Sequence, residues 1–286
     1  MIDRVGVVGC GLMGAGIAEV AARKGIDVVV TEADAEALSR GRARIESSLA
    51  RALKASKLTE DELEGALSRI RYETDIAAHF DRELVVEAIV ENEAAKADVF
   101  TRLDQVVESE SAILASNTSS IPIMKLGVAT KRPEQVIGIH FFNPVPVLPL
   151  VELVRSLLTS EEVRIRAEEF ASKGLSKHVV HSKDRAGFIV NALLIPYILS
   201  AIRMMESGFA SAEDIDTGMV EGCAHPMGPL ALCDLIGLDT TMAVAESLYQ
   251  EFKEPLYAPP PLLLRMVEAG LLGRKSGRGF YEYKPR

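Results

Sequence analysis

The sequence predicts an α/β chain in two parts: an N-terminal doubly wound sheet over residues 1–184, then an all-α C-terminal domain over residues 185–286. Three observations predict it. Short apolar runs alternate with longer stretches of helical periodicity through the first part. The alternation stops around Asp184-Arg185-Ala186-Gly187. From Phe188 onward the spacing of apolar residues is helical.

The first strand-like run, Arg4 to Val8, leads into Gly9-Cys10-Gly11-Leu12-Met13-Gly14, a GxGxxG spacing. In a strand–turn–helix unit the first glycine permits the tight turn and the second lets backbone approach a pyrophosphate. The third lets helix pack on strand. The helix that follows, Ala15 to Lys24, offers free N–H groups and a positive dipole end to the anion. It closes at Gly25, and a second strand, Asp27 to Val30, closes on Glu32. Glycine turns are common, so the spacing takes its meaning from this complete βαβ context, which is Rossmann-like. Glu32 lies where such a unit places a carboxylate against the adenosine ribose hydroxyls. A carboxylate there repels a 2′-phosphate and favours NAD over NADP.

Ala35 to Lys57 is helical in period and carries Arg40, Arg42, Arg44, Arg51, Lys54 and Lys57. Such a face is either solvated or holds a polyphosphate; Arg51 and Lys54, three apart, share one side. Leu84-Val85-Val86 is a further strand, leaving through Glu87-Ala88-Ile89-Val90-Glu91, and a helix from about Glu93 to Val107 carries Lys96. Ala112 to Ala115 is the next strand. The polar turn after it, Ser116-Asn117-Thr118-Ser119-Ser120, suits either helix capping or a ligand at the carboxyl edge of an open sheet.

The buried strand Val136 to Ile139 stops on His140-Phe141-Phe142-Asn143-Pro144-Val145-Pro146, where two prolines stiffen the loop. A second apolar segment, Leu148 to Val154, carries one carboxylate, Glu152. A buried glutamate needs a partner, and a buried neutral imidazole needs its tautomer fixed. Pairing His140 with Glu152 meets both needs and creates a general base. A helix from Ser160 to Lys173 and a strand from Lys177 to Val180 complete the domain. The helix beginning at Ile189 is apolar all round, hence central to the second domain, with a subunit interface as a further role. Asn191 interrupts it near its start. His225-Pro226-Met227-Gly228-Pro229 and the segment from Asp234 to Asp239 are turns between helices, with His225 read as structural. In the basic, glycine-rich loop from Gly273 to Tyr281, Lys275 either reaches a cofactor phosphate or is solvated.

A length of 286 residues gives ample chain for a core, and 32 Lys+Arg against 41 Asp+Glu gives a net charge of −9. That balance argues against nucleic acid or an anionic membrane as partner, while allowing a local basic pocket. Cys10, Cys223 and Cys233 lack metal-ligand spacing; no metal site is expected, and a reducing, cytoplasmic compartment is. Because the chain starts directly with a strand-like run, no signal or transit peptide is expected. The greasiest window, Phe188 to Met205, is broken by Asn191, Pro196 and Arg203 and falls short of a membrane span.

Taken together, these motifs resemble the 3-hydroxyacyl-CoA dehydrogenase family, in particular its short, free-standing 3-hydroxybutyryl-CoA dehydrogenases. The resemblance covers essentially the whole chain. It runs from the glycine turn through Val86-Glu87-Ala88 to Glu91, Ser116 to Ser120 and His140 to Pro144. It continues through Gly187-Phe188-Ile189-Val190-Asn191, His225 to Pro229 and Gly273 to Tyr281. It implies His140 as general base and Glu152 as its orienting carboxylate, with Ser119 and Asn191 holding the substrate's hydroxyl or carbonyl oxygen. It implies dinucleotide contacts from Gly9, Gly11, Leu12, Met13, Gly14, Glu32, Glu91, Lys96, Ser119, Asn143 and Lys275. Arg51 and Lys54, with Ser119, would serve the CoA substrate, and subunits would form a homodimer through the helical domain. The sequence departs from relatives at Ala186, commonly proline; at Pro149, commonly lysine; and at Glu32, mostly aspartate. The change at Pro149 bears on substrate preference.

Two rival readings stand beside this one. An NADPH-preferring acetoacetyl-CoA reductase is opposed by Glu32. A non-catalytic dinucleotide-binding protein of the same fold has no need for Ser119, His140, Glu152 and Asn191 together.

Overall fold

The computed structural model describes residues 2–284. By its internal contacts the chain forms two compact units, Met1–Arg185 and Ala186–Arg286.

The first unit contains, in chain order, β1 (Arg4–Val8), α1 (Leu12–Arg23), β2 (Asp27–Thr31), α2 (Ala35–Lys54), α3 (Glu60–Ser68), β3 (Ile70–Glu73) and β4 (Leu84–Glu87). It continues with α4 (Glu93–Val106), β5 (Ile113–Ser116), α5 (Ile123–Gly127), β6 (Val136–Phe141), β7 (Leu150–Arg155), α6 (Glu161–Glu169) and β8 (His178–Lys183). The strands form one sheet in the order β3-β2-β1-β4-β5-β6-β7-β8. Neighbours are parallel except β6 and β7, which pair antiparallel. The central strands read as unbroken Val/Ile/Leu runs because helices cover both faces. Val5, Val7, Val28, Val30, Ile17, Ile45 and Leu49 share one buried core.

Local signals start the helices. Asp34 accepts from the Ala37 N–H to open α2, Asn92 from Ala95 to open α4, and Ser160 from Val163 to open α6. Thr59 and Glu62 form a reciprocal capping box on α3. The elements the sequence did not disclose are α3, β3 and α5. β3 has four residues and lies at the sheet edge, and α5 is a five-residue helix opened by the distant carboxylate of Asp184, which accepts from the Ile123 and Met124 N–H groups. The helix expected to run to Lys173 is α6 to Glu169 followed by a π-turn over Phe170–Gly174.

The second unit is helical: α7 (Val190–Glu206), α8 (Ala212–Cys223), α9 (Pro229–Ile236), α10 (Leu238–Phe252) and α11 (Pro261–Glu268). Ile195, Ile198, Leu199 and Ile202 of α7 pack with Leu230, Leu238 and Leu248. Two buried aspartates hold this unit's turns. Asp216 caps α9 through the Leu230 and Ala231 N–H groups, and Asp234 ties down the tail through Phe280 and Tyr281. Among the described residues no helix is long and apolar enough to cross a membrane, and no His/Cys/Asp/Glu group is arranged to hold a metal.

Candidate active site

The antiparallel register of β6 on β7 sets His140 directly opposite Glu152. Directly opposed side chains leave the same face of a sheet. His140 Nδ1 therefore lies 2.8 Å from Glu152 Oε2, with the imidazole 6% exposed and the glutamate wholly buried. A carboxylate at Nδ1 selects the tautomer that carries its proton there, which puts the basic lone pair on Nε2. The Phe142 ring, 4.6 Å away between centroids, packs against the imidazole.

The loop after β6 is fixed from three sides. Asn117, from the turn after β5, accepts from the Phe141 N–H at 2.9 Å. Val145 sits so close to α1 that a Cβ on Gly16 would come within 2.8 Å of it. Lys177, mostly buried, donates to the carbonyls of Val145 (2.6 Å) and Leu148 (2.7 Å). Burial, with Arg23 and Lys24 nearby, pushes the Lys177 ammonium below its usual pKa. The Asn143-Pro144 peptide is cis. Asn143 is held in this loop, on the same segment as His140.

The Ser116–Ser120 turn rests on a buried ionic cluster. Glu87, the last residue of β4, accepts from Lys96 Nζ (2.6 Å) and the Ile89 N–H (2.7 Å) through one oxygen, and from the Ser116 hydroxyl (2.6 Å) through the other. Lys96 also reaches Glu91 Oε2 at 3.3 Å. Glu91 Oε1 then gathers the turn: the Thr118 hydroxyl at 2.5 Å, the Ser119 N–H at 3.0 Å and the Ser120 N–H at 3.1 Å. Burial by itself raises the pKa of Glu91, but Lys96, the Thr118 and Ser120 hydroxyls and the Ser119 N–H outweigh it and hold the carboxyl below its usual range. Ser119, Glu91 and Lys96 thus form one network. Glu87, its hub, was quoted in sequence only as part of a strand exit.

The glycine turn fits a dinucleotide. Gly9 has φ +93°, and a Cβ there would stand 2.7 Å from the Ala88 carbonyl oxygen. A Cβ on Gly14 would stand 1.8 Å from the Gly9 carbonyl oxygen, so only glycine lets α1 close on β1. A Cβ on Gly11 would meet nothing within 4 Å, so protein packing does not require glycine there. Leu12 and Met13 open α1, whose N-cap Gly11 offers no side-chain bond to the first-turn N–H groups. Glu32 follows β2 and accepts from the Cys10 N–H at 2.6 Å, which ties the carboxylate to the turn itself. These residues can hold a pyrophosphate and an adjoining ribose.

Between α1, α2 and the 143–146 loop lies a cleft of about 480 Å³ lined in part by Arg40, Arg44, Arg51, Glu19 and Asn143. Arg51 bonds Ser47 and faces this cleft, while Lys54 is exposed at the last residue of α2. Arg40 and Arg44 were legible only as part of a basic helical face. Glu19, buried at 1% exposure, gave no signal. In the helical unit, Asn191 lies in the first turn of α7, half-buried, and Lys275 pairs with Asp239 at 2.5 Å.

Two domain models of one family together match nearly the whole chain. The model for the 3-hydroxyacyl-CoA dehydrogenase NAD binding domain matches residues 4–185, and that for the family's C-terminal domain matches residues 187–283. The chain is 60% identical over 282 residues to a 3-hydroxybutyryl-CoA dehydrogenase of Mycobacterium tuberculosis, covering 99% of each. Among solved structures it superposes on M. tuberculosis FadB2 with TM-score 0.98 at 60% identity, covering 99% of both chains. It superposes on the (S)-3-hydroxybutyryl-CoA dehydrogenase PaaH1 of Ralstonia eutropha with TM-score 0.93 at 47% identity, covering 100% of each.

Proposed function

The chain belongs to the 3-hydroxyacyl-CoA dehydrogenase family, and from that premise we propose that it interconverts (S)-3-hydroxybutyryl-CoA and acetoacetyl-CoA with NAD. The observation that carries the mechanism is the buried His140–Glu152 pair, 2.8 Å apart across β6 and β7. His140 Nε2 takes the proton of the 3-hydroxyl in oxidation and returns it in reduction. Glu152 holds the ring in that tautomer and stabilises the imidazolium that forms. When bound, the nicotinamide supplies the acceptor or donor of hydride at C3. Ser119 and, by the family resemblance, Asn191 hold the substrate's C3 oxygen.

For the dinucleotide, Gly9, Gly11, Leu12, Met13 and Gly14 form the pyrophosphate turn. Glu32 meets the ribose, and Glu91, Lys96, Ser119, Asn143 and Lys275 complete the contacts. The position of the Glu32 carboxylate, bonded to the Cys10 N–H, supports NAD over NADP. Arg51 and Lys54 serve the CoA phosphates; Arg51 on the cleft wall beside Arg40 and Arg44 supports this. The exposed apolar side chains of Leu193 and Phe209 on the helical unit support a homodimer formed through it, in a reducing cytoplasm.

A second reading, an NADPH-preferring acetoacetyl-CoA reductase, draws on Arg44, whose guanidinium lies 3.4 Å from the Cys10 carbonyl oxygen beside Glu32. The test is oxidation of NADH and, separately, NADPH by the purified protein with acetoacetyl-CoA. Faster turnover with NADH upholds NAD; faster turnover with NADPH selects the second reading. No turnover with either removes the activity.

A further inference from the structure

Resting on the NAD reading above, we propose that Glu87 is a positioning residue for the cofactor. It sets the Glu87–Lys96–Glu91 triad, two of whose members are buried, at a net charge of −1, which favours the oxidised, cationic nicotinamide over the reduced, neutral one.

The sheet order carries the argument. The glycine turn follows β1 and His140 is the penultimate residue of β6, and between them stand β4 and β5. A dinucleotide whose pyrophosphate lies on the turn, and whose nicotinamide meets the substrate carbon next to His140, must cross the carboxyl ends of β4 and β5. Glu87 is the last residue of β4, and Ser116, bonded to it, the last of β5. Two strand spacings, roughly 10 Å, separate β4 from β6. Each of the three partners given above for Glu87 donates to it, as an ionised carboxylate requires.

Glu87 and Lys96 are 0% and 1% exposed, so their charges are poorly screened, while the Glu91 side chain is 34% exposed. Two carboxylates against one ammonium leave one negative charge. One unit charge about 10 Å from a ring that is positive only when oxidised corresponds to roughly a tenfold preference at an effective dielectric of about 20. A residue that merely braces the turn would alter both cofactor forms alike. The ratio of their affinities therefore separates charge from scaffolding.

The experiment measures Kd for NAD⁺ and for NADH by fluorescence titration on the wild type, Glu87→Gln, Lys96→Met and the double variant. Thermal unfolding checks that each is folded. Glu87→Gln brings the triad to zero and is expected to raise the ratio Kd(NAD⁺)/Kd(NADH) about tenfold. Lys96→Met leaves two negative charges and lowers the ratio by a similar factor. The double variant restores −1 and returns the ratio to the wild-type value, whatever the change in the two absolute affinities. If Glu87→Gln does not fold, Lys96→Met and the double variant decide the matter. A ratio that stays within threefold of wild type in every folded single variant overturns the proposal and leaves the NAD reading standing. Wild-type protein that binds neither dinucleotide overturns the NAD reading instead.

Discussion

Replacing Glu152 by glutamine keeps the size of the side chain and removes its charge, at a wholly buried position opposite His140. In the proposed mechanism His140 becomes an imidazolium as it takes the substrate proton. Its positive charge then lies about 4 Å from the centre of the Glu152 carboxylate, a separation worth about 4 kcal/mol at an effective dielectric near 20. Losing most of that stabilisation, together with the preference for the Nδ1–H tautomer, is expected to lower kcat about 10³-fold. The proposed binding residues for dinucleotide and CoA are others, so the KM for acetoacetyl-CoA and the Kd for NADH are expected to stay within a few-fold. Steady-state kinetics with acetoacetyl-CoA and NADH, beside a thermal melt, measure both. A folded Glu152→Gln protein whose kcat drops less than threefold would refute the reasoning and leave Glu152 a structural partner of a buried histidine.

Three further outcomes are expected. His140→Ala should lose rate by about 10²–10⁴-fold with dinucleotide binding retained, measured by the same assay and by NADH fluorescence; near-native turnover removes His140 from the mechanism. Gly14→Ala forces a Cβ to within 1.8 Å of the Gly9 carbonyl oxygen, where only backbone can give way. It should cost about 3 kcal/mol or more in urea unfolding, and a neutral result would mean that α1 need not pack so closely. His79, wholly buried with Nε2 bonded to the Thr31 hydroxyl, is held to a pKa of about 4, first by burial and then by Arg82 and Arg71. The unfolded chain therefore binds the His79 proton first. Stability is fully present above pH about 6.5 and is lost as pH falls toward 4, by about 3 kcal/mol, with the unfolding free energies of wild type and His79→Gln compared across that window. Equal pH slopes in the two proteins would contradict this.

Most of the architecture was legible because it rests on local signals. The Val-rich strands and the helix starts near Ala35, Glu93 and Ser160 all lie in short stretches of chain. Gly9 and Gly14 disclosed the turn because each steric requirement falls on one residue. His140 and Glu152 disclosed their pairing because a polar residue in an apolar strand needs a partner. What stayed hidden depends on neighbours distant in sequence. α5 is opened by Asp184, sixty-odd residues downstream. β3 shows no alternation long enough to read. Glu87 looked like the end of a strand, since nothing local reveals that Lys96 and Ser116 converge on it. Lys177 read only as the first residue of a strand, although it holds the loop that follows His140. Lys275, expected to be either a phosphate ligand or solvated, is paired with Asp239.

The most direct test of the hydride-transfer account uses (S)-3-hydroxybutyryl-CoA carrying deuterium at C3, incubated with the protein and NAD⁺. Mass spectrometry of the products is expected to find one deuterium in the reduced dinucleotide, none released to water, and acetoacetyl-CoA in equal amount. Deuterium in the solvent, or an unlabelled reduced dinucleotide, would contradict it.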